Sequence, residues 1–267
     1  VELNGRLLTK AAARVKAGDR LKIELKPTAQ SQAFKPEAIP LAIVFEDEYL
    51  IVINKPPGLV VHPAPGNWSG TLLNGLLSHD IKASVLPRAG IVHRLDKDTS
   101  GLMVVARQRQ IMDQLVCMIA ARELDRQYIA WAHGAWAGPP TVHVDLPVGR
   151  DPRNRLKMAV VNMERNPGKT ASTDIMVLQS VADYCLVRCK LHTGRTHQIR
   201  VHMAALKHPL VSDELYGGWP AGGLTRQALH AFSLAFRHPA TGEALHFTSS
   251  LPADMRTSFE KLGLSYN

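Results

Sequence analysis

No stretch of about 18 consecutive apolar residues occurs in this 267-residue sequence, so no membrane-spanning helix is expected. Cysteine is scarce. Cys117, Cys185 and Cys189 form an odd set without C-x-x-C spacing, which argues for buried thiols in a reducing compartment rather than a disulfide or thiolate zinc site. Cys185 and Cys189, four apart in a strand-like run, should share one sheet face. Acidic residues are in deficit: 23 Asp and Glu face 32 Lys and Arg, a formal charge of +9. A surplus of that sign speeds encounter with a polyanion. Val1–Gly5 shows no basic segment leading into an apolar one, so no secretory leader is expected there and a cytoplasmic location is. Internal repeats and low-complexity tracts are also missing.

Several catalytic signatures fail on inspection. Asn166-Pro167-Gly168-Lys169-Thr170 ends like a phosphate-binding loop, but Met163 stands where that pattern needs its first glycine. Gly217-Gly218 and Gly222-Gly223 do not space as a dinucleotide fingerprint, and no G-x-S-x-G elbow exists. Twelve histidines invite a metal, yet His197 and His202 stand five apart on an expected helix and no H-E-x-x-H occurs. No metal site is expected.

What is there reads as a chain of 45% hydrophobic residues, enough for a sizeable core. Residues 1–26 form a small basic unit in which Leu21-Lys22-Ile23-Glu24-Leu25 alternates as a half-buried strand does. Residues 27–40, with Pro27, Pro36 and Pro40, read as a linker. From Leu41 to the end the texture is that of one domain. Ile43–Phe45, Leu50–Ile53, Leu102–Ala106 and Tyr128–Ala132 are strand-like, and Thr173–Leu178 with Tyr184–Leu191 reads as a hairpin. A short helix is expected over Thr71–Leu77, and amphipathic helices over 109–122 and over Arg195–Lys207. The remainder reads as short strands and turns. Many strands with few, dispersed helices predict an α+β fold with a mixed or antiparallel sheet.

The segment Ile91-Val92-His93-Arg94-Leu95-Asp96-Lys97-Asp98-Thr99-Ser100-Gly101-Leu102 packs four charged residues and a histidine between a short apolar run and a Gly-led strand. Such a loop cannot be core, and loops held by strands often carry function. Its bland alternative is a solvated turn capped by Asp98-Thr99.

His93-Arg94-Leu95-Asp96 followed by Thr99-Ser100-Gly101-Leu102 resembles the signature of the RluA-type pseudouridine synthases. Further segments match in that family's order: Asn54-Lys55-Pro56 with Gly58 to His62, then Arg122–Tyr128, Thr193–His202, His208–Val211 with Asp213, and Gln227–Ala231. The resemblance covers roughly residues 41–256. Pro87-Arg88-Ala89-Gly90 and Arg226–His230 lie closest to members acting on large-subunit ribosomal RNA, and residues 1–26 resemble the second half of an S4-type RNA-binding domain. The resemblance implies a large bent sheet with a cleft across its middle, isomerisation of uridine to pseudouridine, and no cofactor. It implies a catalytic set of Asp96, Tyr128 and Arg200. Asp96 would attack C1′ or take the C2′ proton, paired with Arg200, while Tyr128 stacks on an extruded base. RNA-binding residues would be Lys55, His93, Arg94, Arg126 and Arg195, with Arg126 standing where the family usually has lysine. The implied partner is 23S ribosomal RNA or the assembling large subunit, met by a monomer. Two rivals stay open: an RNA-binding protein without chemistry, and a glycosidase, which normally needs two acids at a set separation.

Overall fold

The computed structural model describes residues 1–10, 12–24, 28–154 and 156–264. At the N-terminus β1 (Glu2–Leu3), β2 (Arg6–Leu7) and β3 (Leu21–Lys22) form a three-stranded sheet. Asn4 and Gly5 both take positive φ, 51° and 80°, the conformation a two-residue hairpin loop demands. The Asn4 carboxamide then ties the loop to Asp19 and to the Arg20 N–H, both at 2.8 Å. Leu7, Leu21 and Ile23 stay exposed, so the described residues of this unit have almost no core. The expected strand is shorter than 21–25; Leu25, and Lys26 and Pro27 at the expected boundary, lie outside the described residues.

Residues 28–40 do not hang as a tether. Asn74 donates to the Lys35 carbonyl (2.8 Å), and the Glu37 carboxylate accepts the Gly70 N–H (3.0 Å). Ala33 is buried as a result. Residues 32–37 thus form a strap held on Asn74 of the first helix of the main domain.

The main domain is built on a nine-stranded mixed sheet. Its elements are β4 (Ile43–Glu46), β5 (Leu50–Lys55), α1 (Leu72–His79), β6 (Ser100–Ala106), α2 (Arg109–Ala120), β7 (Asp125–His133) and β8 (Thr141–Asp145). After a small side sheet of β9 (Val148–Arg150), β10 (Met158–Val160) and β11 (Gly168–Lys169) come β12 (Ser172–Ser180) and β13 (Tyr184–Leu191). Then follow α3 (Gln198–Ala205), β14 (Leu229–Arg237), β15 (Ala244–Thr248) and α4 (Ala253–Lys261). The order is β4-β5-β6-β14-β7-β13-β12-β8, with β15 also on β14. Every pairing in this sheet is antiparallel except β14 with β6.

The sheet is covered on both faces, which explains the unbroken apolar run Leu50–Ile53. Ile51 and Ile53 join Leu72, Leu73 and Leu76 of α1 on the front face, where Ile199 and Met203 of α3 also pack. Leu50 and Val52 face Ile111 and Leu115 of α2 behind. Ile129, Trp131 and Leu186 face Met255 and Phe259 of α4. Both Cys185 and Cys189 are buried on the front face, as their spacing requires.

At the middle the sheet forks. β14 meets β6 only at His230 and Ala231, and from Ser233 onward pairs with β15 instead. Gly101 makes that crossing possible. Its φ is 115°, and a Cβ there would lie 2.2 Å from the Ala231 carbonyl oxygen. The loop entering β6, residues 96–99, is therefore delivered to the seam between the two halves, with α1 and α3 on either side of the front face.

Two helices differ from expectation. α3 begins at Gln198 rather than Arg195, because the Gln198 carboxamide accepts from Thr193 Oγ1 (2.7 Å) and the Arg195 N–H (3.0 Å), holding those residues in a turn. Helix α4, expected as strands and turns, presents only a narrow apolar stripe, Met255 and Phe259.

Candidate active site

A cleft of about 530 Å³ opens over the seam, lined by Asp96, Tyr128, His197 and Arg200 together with His62, Arg88, Arg94, Arg126 and Arg195. Leu95, Leu191, Ile199 and Leu229 add apolar lining. Five arginines around one carboxylate make a cavity suited to a polyanion with one reactive point.

The loop bearing Asp96 is fastened from three directions. Lys55 Nζ donates to the carbonyls of Pro56 (2.8 Å), Lys97 (2.9 Å) and Leu59 (3.0 Å). Arg226 Nη1 donates to the Asp98 carbonyl (2.9 Å) while the rest of its fork holds Asp254. Gln227 donates to Thr99 Oγ1 (3.2 Å), and the Thr99 N–H closes a turn on the Asp96 carbonyl.

Lys55, expected among the RNA-binding residues, is instead a strut that is 0% exposed. Burial pulls its ammonium down to about 7, against Asp98 and Asp96, which favour the charge. Three carbonyls ask for three N–H donors, which only the ammonium supplies. Lys55→Met should cost about 2–4 kcal/mol by leaving buried carbonyls unpaired. The sign with pH follows from linkage: the folded value of about 7 lies below 10.5 for an unperturbed lysine, so across that window the unfolded chain holds more protons. The stability gap between wild type and Lys55→Met should therefore widen as pH rises from 7 towards 10.5 in urea unfolding, and a gap that narrows contradicts the lowered pKa.

Asp96 sits at the cleft floor with its Oδ2 accepting from Arg200 Nη1 at 3.2 Å, across 104 positions of sequence. The fork of Arg200 is not spent on Asp96. Its Nε and Nη2 hold Asp213 at 2.7 and 2.8 Å, and Asp213 is 2% exposed. Burial opposes the Arg200 charge, but the paired Asp213 and the neighbouring Asp96 outweigh it and raise its pKa. The guanidinium also lies over the Tyr216 ring, 4.9 Å from its centre.

A second contact reaches the other carboxylate oxygen. His197 Nε2 lies 3.7 Å from Asp96 Oδ1. Tyr216 Oη accepts the Met158 N–H at 2.9 Å and is hydrogen-bonded to His197 Nδ1 at 2.7 Å. The ring is thereby held with Nε2 towards Asp96, and burial lowers its pKa, which favours the neutral form.

Tyr128, on β7, borders the same cleft and is 4% exposed. Burial raises its phenol to about 12, so it stays protonated at neutral pH. Arg126, two residues earlier on the same strand, is buried with its Nε unpartnered; its Nη1 would lie 3.0 Å from a Cβ at position 194, so Gly194 gives it room. Arg94 is exposed, and Arg195 keeps its fork available while Nε donates to the Thr170 carbonyl (3.0 Å). His93 also lines the cleft, with its Nδ1 unpartnered among the described residues. Its Nε2 accepts the Val104 N–H (3.1 Å), and burial lowers its pKa to about 3, so it braces β6 and carries no charge for a phosphate.

The sequence brought Asp96, Tyr128 and Arg200 together, and the structure holds all three around one cavity. Sequence reasoning missed the roles of Asp213, Tyr216, His197 and Arg226. Asp213 had one usable signal, its place in the matched segment that follows the helix carrying the arginine motif.

Residues 49–205 match the RNA pseudouridylate synthase family, more than half of the chain. The chain is 47% identical over 249 residues to a ribosomal large subunit pseudouridine synthase D of Neisseria meningitidis serogroup A, covering 89% of this chain and 65% of that protein. A protein of the same name from Haemophilus ducreyi is 42% identical over 279 residues, covering all of this chain and 84% of its own. The chain thus spans about two thirds of the Neisseria relative's length. Among solved structures, human RNA pseudouridylate synthase domain containing 4 superposes with a TM-score of 0.64 at 29% identity, covering 84% of this chain and 94% of that one. The matched residues contain the Asp96 loop, Tyr128 and Arg200, the three side chains that the fold gathers at the seam. Fold, cleft and similarity agree, and the chain belongs to the RNA pseudouridylate synthase family.

Proposed function

We propose that this protein isomerises specific uridines of large-subunit (23S) ribosomal RNA to pseudouridine, without a cofactor. The reaction breaks N1–C1′, turns the base and joins C5 to C1′, so nothing is oxidised and no group is imported. Asp96 is the reacting carboxylate, either attacking C1′ or removing the C2′ proton. Arg200 holds it by one N–H, and His197 faces its second oxygen. Tyr128, a neutral phenol, stacks on the base, which has to leave the helix before C5 can be reached. Arg94, Arg126 and Arg195 take the phosphates and the vacated place in the strand. Residues 1–26 act as the C-terminal part of an S4-like RNA-binding unit, 27–40 as the connecting segment, and 41–267 as the catalytic domain.

The observation that carries this reading is the single Arg200–Asp96 contact at 3.2 Å inside an arginine-lined cleft that also contains Tyr128. An RNA-binding protein without chemistry has no use for a carboxylate facing an anionic ligand. The test is tritium release from C5-labelled uridine in large-subunit RNA, with pseudouridine mapped in that RNA. Release with no free base or sugar supports the isomerase. Free uracil among the products, or no release at all, overturns it.

A further inference from the structure

Away from the cleft, three side chains from three strands converge on the sheet face opposite α3. His143 of β8 stands directly across from Asp174 of β12 in the antiparallel register. His192, just beyond the end of β13, pairs its backbone N–H with the Ser172 carbonyl (3.1 Å), which sets its ring diagonal to Asp174. His143 Nδ1 lies 2.6 Å from one Asp174 oxygen and His192 Nε2 lies 2.6 Å from the other. The three groups keep one potential ligand atom each within 4.8 Å of the others.

We propose that His143, Asp174 and His192 form a divalent transition-metal site, with Zn²⁺ the fitting ion and water completing its shell. Two imidazole nitrogens and one carboxylate are the donor set that Zn²⁺ takes, whereas Mg²⁺ takes oxygen ligands. Ligands at about 2.0–2.1 Å from one ion lie about 3.4 Å apart in a tetrahedron, and His143, the most exposed of the three, has room to turn to that spacing. A second feature supports it. An ion would displace the Nδ1 proton that now points at Asp174, and Ser172 Oγ, 3.3 Å from His143 Nε2, can accept the N–H of the ligating tautomer. Ligating histidines characteristically have the other ring nitrogen held in this way.

The position gives the ion a purpose. β8 is an edge strand of the sheet, and His192 lies two residues before Gly194 and Arg195, which line the cleft. A metal there would clamp the edge strand to β12 and fix the root of the arginine-bearing turn. Pattern rules find no metal site in this sequence because the ligands are 31 and 18 residues apart and meet only through strand register.

The test is Zn²⁺ titration of the metal-stripped, untagged full chain by calorimetry, with X-ray absorption on the loaded protein. We expect one saturable Zn²⁺ site per chain, at least about tenfold weaker in His143→Gln and in His192→Gln, and unaffected by excess Mg²⁺. The absorption spectrum of wild type should show two imidazoles at about 2.0–2.1 Å and no sulfur. That spectrum decides even if a variant fails to fold. Absence of saturable binding, binding undiminished in both folded variants, or a sulfur ligand overturns the proposal.

Discussion

Asp96→Asn should lose turnover by about four orders of magnitude or more, the scale of removing a reacting side chain, while binding RNA within about twofold of wild type. Asparagine has nearly the same shape and its carbonyl oxygen can still accept the Arg200 N–H that now reaches Asp96 at 3.2 Å. The loop is held by Lys55, Arg226 and Gln227, none of which touches the Asp96 carboxylate, so its backbone should not move. What disappears is the negative charge able to attack carbon or take a proton. The measurement is tritium release under single-turnover conditions beside a filter-binding titration. Undiminished release would take the carboxylate out of the chemistry, and a fall in affinity as large as the fall in rate would make Asp96 a binding residue.

How far the sequence revealed this molecule depends on whether the deciding contact is local. The strand pair β12–β13 and helix α2 were legible because their apolar residues repeat at the period of the element. The Asp96 segment stood out because charged residues sit where a core cannot take them. Lys55 was misread since lysine is almost never fully buried, and its cage of three carbonyls forms only when residues 56–59 fold back beside residue 97. Gly101 looked like an ordinary strand start; that it admits a backbone crossing depends on Ala231, more than a hundred positions away. Helix α4 was lost because its two buried anchors, Met255 and Phe259, give too narrow a stripe among polar residues. The charge network shows the same pattern. Arg200 was expected to pair with Asp96, and only the fold shows that Asp213 takes Nε and Nη2 and leaves Nη1 for the cleft.

That division of Arg200 leads to the second large effect. Asp213→Asn should lower kcat by about a hundredfold with little change in KM, the scale of a misplaced catalytic group. Asp213 uses both oxygens, one for Nε and one for Nη2, so the amide of asparagine turns an N–H towards a guanidinium that has only donors. Arg200 is 6% exposed and cannot seek water; the nearest remaining anion is Asp96. The guanidinium should swing its fork onto that carboxylate, neutralising it and drawing it from its position opposite His197. Breaking one side of a buried pair should also cost about 3–5 kcal/mol in folding stability. Kinetics are therefore to be taken well below the melting temperature of the variant, where a structural loss alone would leave kcat per folded molecule unchanged. Arg200→Lys provides the complementary test: a single ammonium cannot span both carboxylates, so it should lose turnover even though the charge is kept. If Asp213→Asn turns over at the wild-type rate once folded, Asp213 does not aim Arg200, and the geometry around Asp96 is set by Arg200, His197 and the loop alone.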